Sequence, residues 1–201
     1  MSSGSQLFIN YHREESIDHF NYYYLEEVFS EDELSKIYEI GGRVPKDPGE
    51  VLTARDTWGE SDMRTCEIGW IDKGPDALWL YEKIAQYALI ANEEMWHYDL
   101  SGFQDYLQYT IYYGDGGHYD WHADLGAEVC NRKITVVLQL SKPEEYQGGI
   151  LEINYGSCIA DCPNAFNSLI FFPSFLLHRV TPVTSGVRKS LVTWLAGPTF
   201  R

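Results

Sequence analysis

Two periods of apolar residues divide this chain, and the change from one to the other falls near Asp99. Before it, FNYYYLEEVF (20–29) has the aromatic and apolar content of a strand. It runs into Ser30-Glu31-Asp32-Glu33, a capping box: the serine hydroxyl accepts from the third helical N–H, and the glutamate accepts from the serine N–H. LSKIYEI (34–40) continues as a helix, which Gly41-Gly42 is predicted to stop. A stretch rich in Pro, Gly and Asp then reads as a loop leading to a second helix, from about Ala77 to Asn92. Its apolar positions (Ala77, Leu80, Ile84, Tyr87, Ala88 and Ala91) recur at helical spacing, the pattern of a face packed on a core.

Beyond Asp99 the helical period disappears. LQYTIYY, KITVVLQL, GILEINY, SLIFFP and KSLVTWLA are short, β-branched or aromatic, and separated by Gly, Pro, Asn and Asp turns. Two helices followed by evenly spaced strands predict an α+β, mainly β, protein whose sandwich or barrel core packs against the helices. No repeat or linker interrupts the chain. Residues 1–201 are therefore expected to form one domain, with helical support at about 30–95 and the β core at about 99–201.

Composition narrows this picture. A chain of 201 residues with 44% apolar and 15% aromatic content can bury a core and is neither disordered nor fibrous. There is no apolar run of membrane-spanning length, and MSSGSQLFIN lacks the regions of a signal peptide, so a soluble, cytoplasmic protein is expected. Cys66, Cys130, Cys158 and Cys162 form no CxxC pair and read as reduced thiols. The net charge of −15 opposes binding to nucleic acid, which requires clustered Lys and Arg. That charge is unevenly placed. Every Asp and Glu lies at or before Asp161, while Pro163 to Arg201 carries no carboxylate and four basic residues. Either the C-terminal third supplies core strands, or one mouth of the fold is locally positive and receives an anion.

The candidate chemistry lies in YYGDGGHYDWHAD (112–124), where two HxD pairs overlap: His118 with Asp120, and His122 with Asp124. In an extended chain residues two apart face one side, so either pair could offer an imidazole and a carboxylate to one ion. A second histidine would complete the facial triad of non-haem iron(II), which leaves positions open for a cosubstrate and dioxygen. His178 follows an apolar strand and precedes a Pro/Gly turn. In isolation it reads as a satisfied core or loop residue. Ten residues on, Arg188 stands in an apolar strand, with Ser190 on the same face. A buried guanidinium must pair with an anion, and no Asp or Glu follows it. Its partner is distant in sequence or is a ligand, and a dicarboxylate held by the planar fork with help from the Ser190 hydroxyl suits it.

Taken together, these motifs resemble the 2-oxoglutarate/iron(II) oxygenases of the prolyl/lysyl hydroxylase-like group, including bacterial PKHD-type hydroxylases. YYLEEVFSEDELSKI is similar to that family's opening, and GFQDYLQYTIYYGDGGHYDWHAD to its YxxGxxYxxHxD region. NRKITVVLQLSKPEEYQGGILEI, with the Gly148-Gly149 turn, is similar to its following strands, and HRVTPVTSGVRKSLVTWLAGP to its distal His, basic residue and terminal strand. The resemblance implies a double-stranded β-helix (jelly-roll, cupin-like) core with the N-terminal helices packed on it. It also selects between the HxD pairs, because Tyr119 stands three residues before His122 as in the family motif.

By that resemblance His122, Asp124 and His178 are the metal ligands, and Arg188 takes the distal carboxylate of 2-oxoglutarate. Tyr112, Ser190 and Trp194 join it around the cosubstrate; Tyr119, Val180, Leu151 and His118 are candidates for the substrate pocket. The resemblance implies iron(II), 2-oxoglutarate as cosubstrate, dioxygen, and ascorbate as a candidate reductant. The reaction it implies is oxidative decarboxylation of 2-oxoglutarate to succinate, coupled to hydroxylation of a C–H bond. A peptidyl proline or other protein side chain is the first substrate expected, and a free amino acid or other small molecule the alternative. Collagen-type prolyl hydroxylases carry Lys where this chain has Arg188, which argues against a collagen-like substrate. A non-catalytic, metal-free β-sandwich binding module is a rival from another class. A zinc hydrolase has no HExxH to support it. The oligomeric state is left open.

Overall fold

The computed structural model describes residues 22–52, 58–59, 61–126 and 129–200. In chain order the elements are β1 (Tyr23–Leu25), α1 (Glu31–Arg43), β2 (Asp47–Pro48), β3 (Val51–Leu52), β4 (Trp58–Gly59), β5 (Arg64–Thr65), β6 (Glu67–Ile71) and α2 (Leu78–Met95). They continue as β7 (Gly102–Phe103), β8 (Leu107–Tyr113), β9 (His118–His122), β10 (Arg132–Gln139), β11 (Tyr146–Gly148), β12 (Leu151–Asn154), β13 (Ile159–Asp161), β14 (Leu169–Pro173), β15 (Leu177–Val180) and β16 (Val183–Ala196).

The capping box forms as expected: the Ser30 hydroxyl accepts from Glu33 N, and the Glu33 carboxylate accepts from Ser30 N. The helix does not stop at Gly41-Gly42. It runs to Arg43 and ends at Val44 in an extended conformation, because Pro45 disfavours the helical region for the residue before it. Gly41 serves packing instead. A Cβ there would fall 2.3 Å from the Tyr109 ring, so its absence lets α1 close onto β8. The second helix runs one turn beyond Asn92, whose side-chain amide bonds both backbone groups of Tyr98 as the chain turns away. The expected loop between the helices contains short strands, of which β5 and β6 join different sheets.

Among the described residues, one antiparallel sheet has the order β1-β14-β10-β16-β8-β6-β2, with β7 and β11 also pairing to β16. A smaller sheet has the order β13-β12-β15-β9-β5. Strand alternation sends successive side chains to opposite faces of the larger sheet. Tyr109, Val136, Leu138, Leu169 and Phe171 pack with Ile37, Leu80 and Ile84 of the two helices. Their neighbours Tyr112, Val137, Ile170 and Phe172 pack instead with Leu151, Ile153 and Val180 of the smaller sheet. Because β10 and β14 are covered on both faces, their sequences read as continuous apolar runs. This is the jelly-roll arrangement the sequence leads one to expect. The terminal strand is longer than KSLVTWLA, however: TSGV, read as part of a turn, belongs to β16 and pairs with β8 and β11.

Candidate active site

The inner face of the larger sheet and the facing smaller sheet enclose a cavity of about 330 Å³. Strand alternation decides which residues reach it. β16 contributes Arg188, Ser190, Val192 and Trp194, every second residue, and β10 contributes Thr135 and Val137. The smaller sheet supplies Tyr119, His122, Leu151, His178 and Val180, with Asp124 just past the end of β9.

β15 pairs with β9 so that His178 lies opposite His122. One ligand atom from each of His122, Asp124 and His178 lies within 4.8 Å of the others. The Nε2 atoms stand 3.7 Å (His122) and 3.4 Å (His178) from different oxygens of the Asp124 carboxylate. Each ring is oriented from behind. Nδ1 of His122 donates to the Asp120 carbonyl at 2.7 Å, and Nδ1 of His178 to the Leu176 carbonyl at 2.9 Å. A proton held at Nδ1 leaves the Nε2 lone pair facing the carboxylate, the tautomer a metal ligand needs.

The carboxylate is fixed in the same way. The Thr135 hydroxyl donates to Asp124 Oδ2 at 2.7 Å, and Asp124 N donates to the Ser174 carbonyl at 2.9 Å. Burial pushes the Asp124 carboxyl upward, but the two imidazoles, Arg132 and the Thr135 hydroxyl outweigh it and hold the group below the usual carboxylate range. Burial, then the neighbouring His178, pushes His122 below the ordinary imidazole value. Two imidazoles and one carboxylate are available as donors. This is an N₂O set that suits iron(II) and leaves open coordination positions. Thr135→Val removes the hydroxyl but keeps the volume, and should weaken iron(II) affinity by roughly 10-fold or more, measured by anaerobic metal titration.

Arg188 is 1% exposed, the largest fully buried side chain of the described residues. It donates to Gln139 Oε1 at 3.0 Å and to Ser190 Oγ at 3.4 Å, and its Nε has no partner. Both acceptors are neutral, and no described carboxylate forms an ion pair with it. The Tyr112 ring lies beside the guanidinium, 5.4 Å from its centroid. Burial pushes the Tyr112 phenol upward and the Tyr119 phenol up to about 12, so both remain donors. Gly149, with φ of 62°, backs Arg188: a Cβ there would fall 2.8 Å from Arg188 Cδ. Gly149→Ala should therefore displace the guanidinium and weaken binding of 2-oxoglutarate, besides a backbone strain of about 1–3 kcal/mol; ligand titration and thermal unfolding read the two effects separately.

Of the candidates named from sequence, all but His118 line this cavity. His118 is excluded because its two ring nitrogens are engaged by the carbonyls of Gly116 at 2.8 Å and Asp62 at 2.9 Å. Sequence reasoning missed Thr135 and Gln139, although polar residues four apart in the otherwise apolar KITVVLQL signal an inward-facing polar row. It missed Arg64, which the polar stretch around it gave no means of finding. Arg132 also lines the cavity, 3.8 Å above the Trp194 ring and paired with Asp105 at 2.9 Å.

Residues 107–196 match the model of the 2OG-Fe(II) oxygenase superfamily. That family is named for iron(II) and 2-oxoglutarate. A PKHD-type hydroxylase of Acidovorax ebreus is 34% identical over 102 residues, 44% of this chain and 45% of the relative. One from Colwellia psychrerythraea is 40% identical over 87 residues, 43% and 39% of the two chains. The match spans less than half the length of these curated relatives. In fold, the chain is similar to a Trichoplax adhaerens prolyl hydroxylase solved with a hypoxia inducible factor peptide fragment (TM-score 0.73, 17% identity, 89% and 84% of the two chains). It is also similar to a Pseudomonas putida prolyl-4-hydroxylase (TM-score 0.68, 21% identity, 90% and 94%). No described helix is long and apolar enough to cross a membrane.

Proposed function

We propose that this protein is an iron(II)- and 2-oxoglutarate-dependent hydroxylase acting on a C–H bond of a peptidyl proline or other protein side chain, with its helical and β parts working as one oxygenase domain. The observation that carries this is the pairing, in one cavity, of a buried His122–Asp124–His178 cluster with a buried Arg188 that forms no ion pair with a carboxylate among the described residues. His122, Asp124 and His178 would hold the iron, which when bound supplies the activation of dioxygen that side chains cannot. Arg188, with Ser190 and the Tyr112 phenol, would bind the far carboxylate of 2-oxoglutarate and so fix its 2-oxo acid end toward the metal. Trp194, Val180 and Leu151 would exclude water from the reacting atoms. Ascorbate would serve as reductant when iron is oxidised without hydroxylation.

The test is succinate formation from 2-oxoglutarate, in the presence of iron and oxygen, across peptides, amino acids and oligonucleotides. Peptides should raise the rate above the slow blank. Stimulation by free amino acids alone would move the substrate to the small-molecule class. Iron-loaded protein that consumes no 2-oxoglutarate with any member would favour a binding module.

A further inference from the structure

The cavity contains a second buried guanidinium that the metal and cosubstrate do not use. Arg64 is 9% exposed and lines the same walls as His122 and Arg188. Pairing of β5 with β9 sets it opposite Tyr119, and its guanidinium lies 4.6 Å from the centre of that ring. The Tyr119 ring stacks on the His122 imidazole with centroids 3.4 Å apart, so Arg64 and His122 share one aromatic neighbour. Of the five guanidinium N–H groups, Nε donates to Cys66 Sγ at 3.1 Å and Nη1 to the Glu50 carbonyl at 3.3 Å. Both acceptors are neutral, since burial pushes the Cys66 thiol upward. Among the described residues no carboxylate lies within ion-pair distance of Arg64. Arg132, by contrast, is balanced by Asp105.

A charge count gives this meaning. Dicationic iron with the Asp124 carboxylate, and cationic Arg188 with dianionic 2-oxoglutarate, sum to zero. Arg132 and Asp105 cancel. The remaining carboxylate residue among the described lining residues, Glu50, is exposed and forms no ion pair with Arg64. Arg64 therefore has no buried counter-charge, and a buried charge without one is costly. We propose that Arg64 receives a carboxylate of the primary substrate, so that the compound hydroxylated here is an acid. This rests on the oxygenase function proposed above. The carboxylate has two sources: the α-carboxylate of a free or C-terminal amino acid, or an acidic side chain next to the target residue in a peptide.

The test uses protein loaded without oxygen with iron(II) and 2-oxoglutarate, titrated calorimetrically with matched acids and amides. N-acetyl-L-proline against N-acetyl-L-prolinamide probes the α-carboxylate; the end-blocked peptides Glu-Pro-Gly and Gln-Pro-Gly probe the side chain. In at least one pair the acid should bind tighter by about tenfold or more, as for a charge-assisted hydrogen bond desolvated on binding. That pair identifies the source. Arg64→Gln should abolish the preference, and Arg64→Lys should restore part of it. Wild-type protein that prefers neither acid overturns the proposal, as does a preference that survives in Arg64→Gln. Succinate formation is scored in parallel to separate the two claims. A preference for acids without 2-oxoglutarate consumption would sink the oxygenase function and leave the anion site standing. Consumption with acids and amides bound equally would do the reverse.

Discussion

His122→Ala and His178→Ala should each lower iron(II) affinity by more than about 100-fold, since loss of groups that merely orient a ligand already costs about 10- to 100-fold. Each imidazole is locked at Nδ1 by a backbone carbonyl and faces Asp124 with Nε2. Removing either leaves two donors around a desolvated cation, and no described His, Cys, Asp or Glu stands close enough to join the cluster. His118→Ala should leave the stoichiometry near one iron per chain, because that ring is bonded to the Gly116 and Asp62 carbonyls outside the cavity. Equilibrium dialysis without oxygen, followed by iron quantitation, reads all three variants. An empty site in His118→Ala beside a full one in His122→Ala would reverse the choice of HxD pair.

Arg188 variants should separate cosubstrate binding from metal binding. Arg188→Lys keeps the charge but loses the planar fork, and should weaken 2-oxoglutarate binding by ~1–3 kcal/mol while sparing iron. Arg188→Ala should weaken it further, because the carboxylate would then be desolvated with no cation to meet it. Ser190→Ala and Tyr112→Phe should each cost on the order of 1 kcal/mol, as single hydrogen bonds. The readout is titration of 2-oxoglutarate into iron-loaded protein without oxygen, followed by its visible charge-transfer band. Undiminished affinity in Arg188→Ala would make Arg188 structural and transfer the role to Arg64, since Arg132 already has Asp105.

The strands that build the site were legible because most are regular and long enough to carry a pattern. LQYTIYY forms β8 over the same residues, and the Arg188-x-Ser190 alternation on β16 places both side chains in the cavity, as two-residue periodicity requires. Arg64 was not legible. It sits on a two-residue strand whose position is set by pairing with Tyr119, 55 residues away, and no local period announces such a pairing. The choice between the HxD pairs was not decidable from spacing either, since both have the same geometry along an extended chain. What separates them is tertiary: His118 faces the Asp62 carbonyl, whereas His122 lies opposite His178 on the neighbouring strand β15. The Gly41-Gly42 error has a similar origin. A glycine pair signals a helix end, but here the close approach of Tyr109 uses Gly41 inside the helix.

The most direct test of the account is to supply the iron-loaded protein with 2-oxoglutarate and ¹⁸O-labelled dioxygen and to weigh the succinate formed. Oxidative decarboxylation by dioxygen breaks the bond between C1 and C2 of the oxo acid and adds one oxygen atom to the new carboxylate. The account predicts succinate carrying one labelled atom, dependent on iron and lost in Asp124→Ala. No succinate with any substrate, or succinate without label, would contradict it.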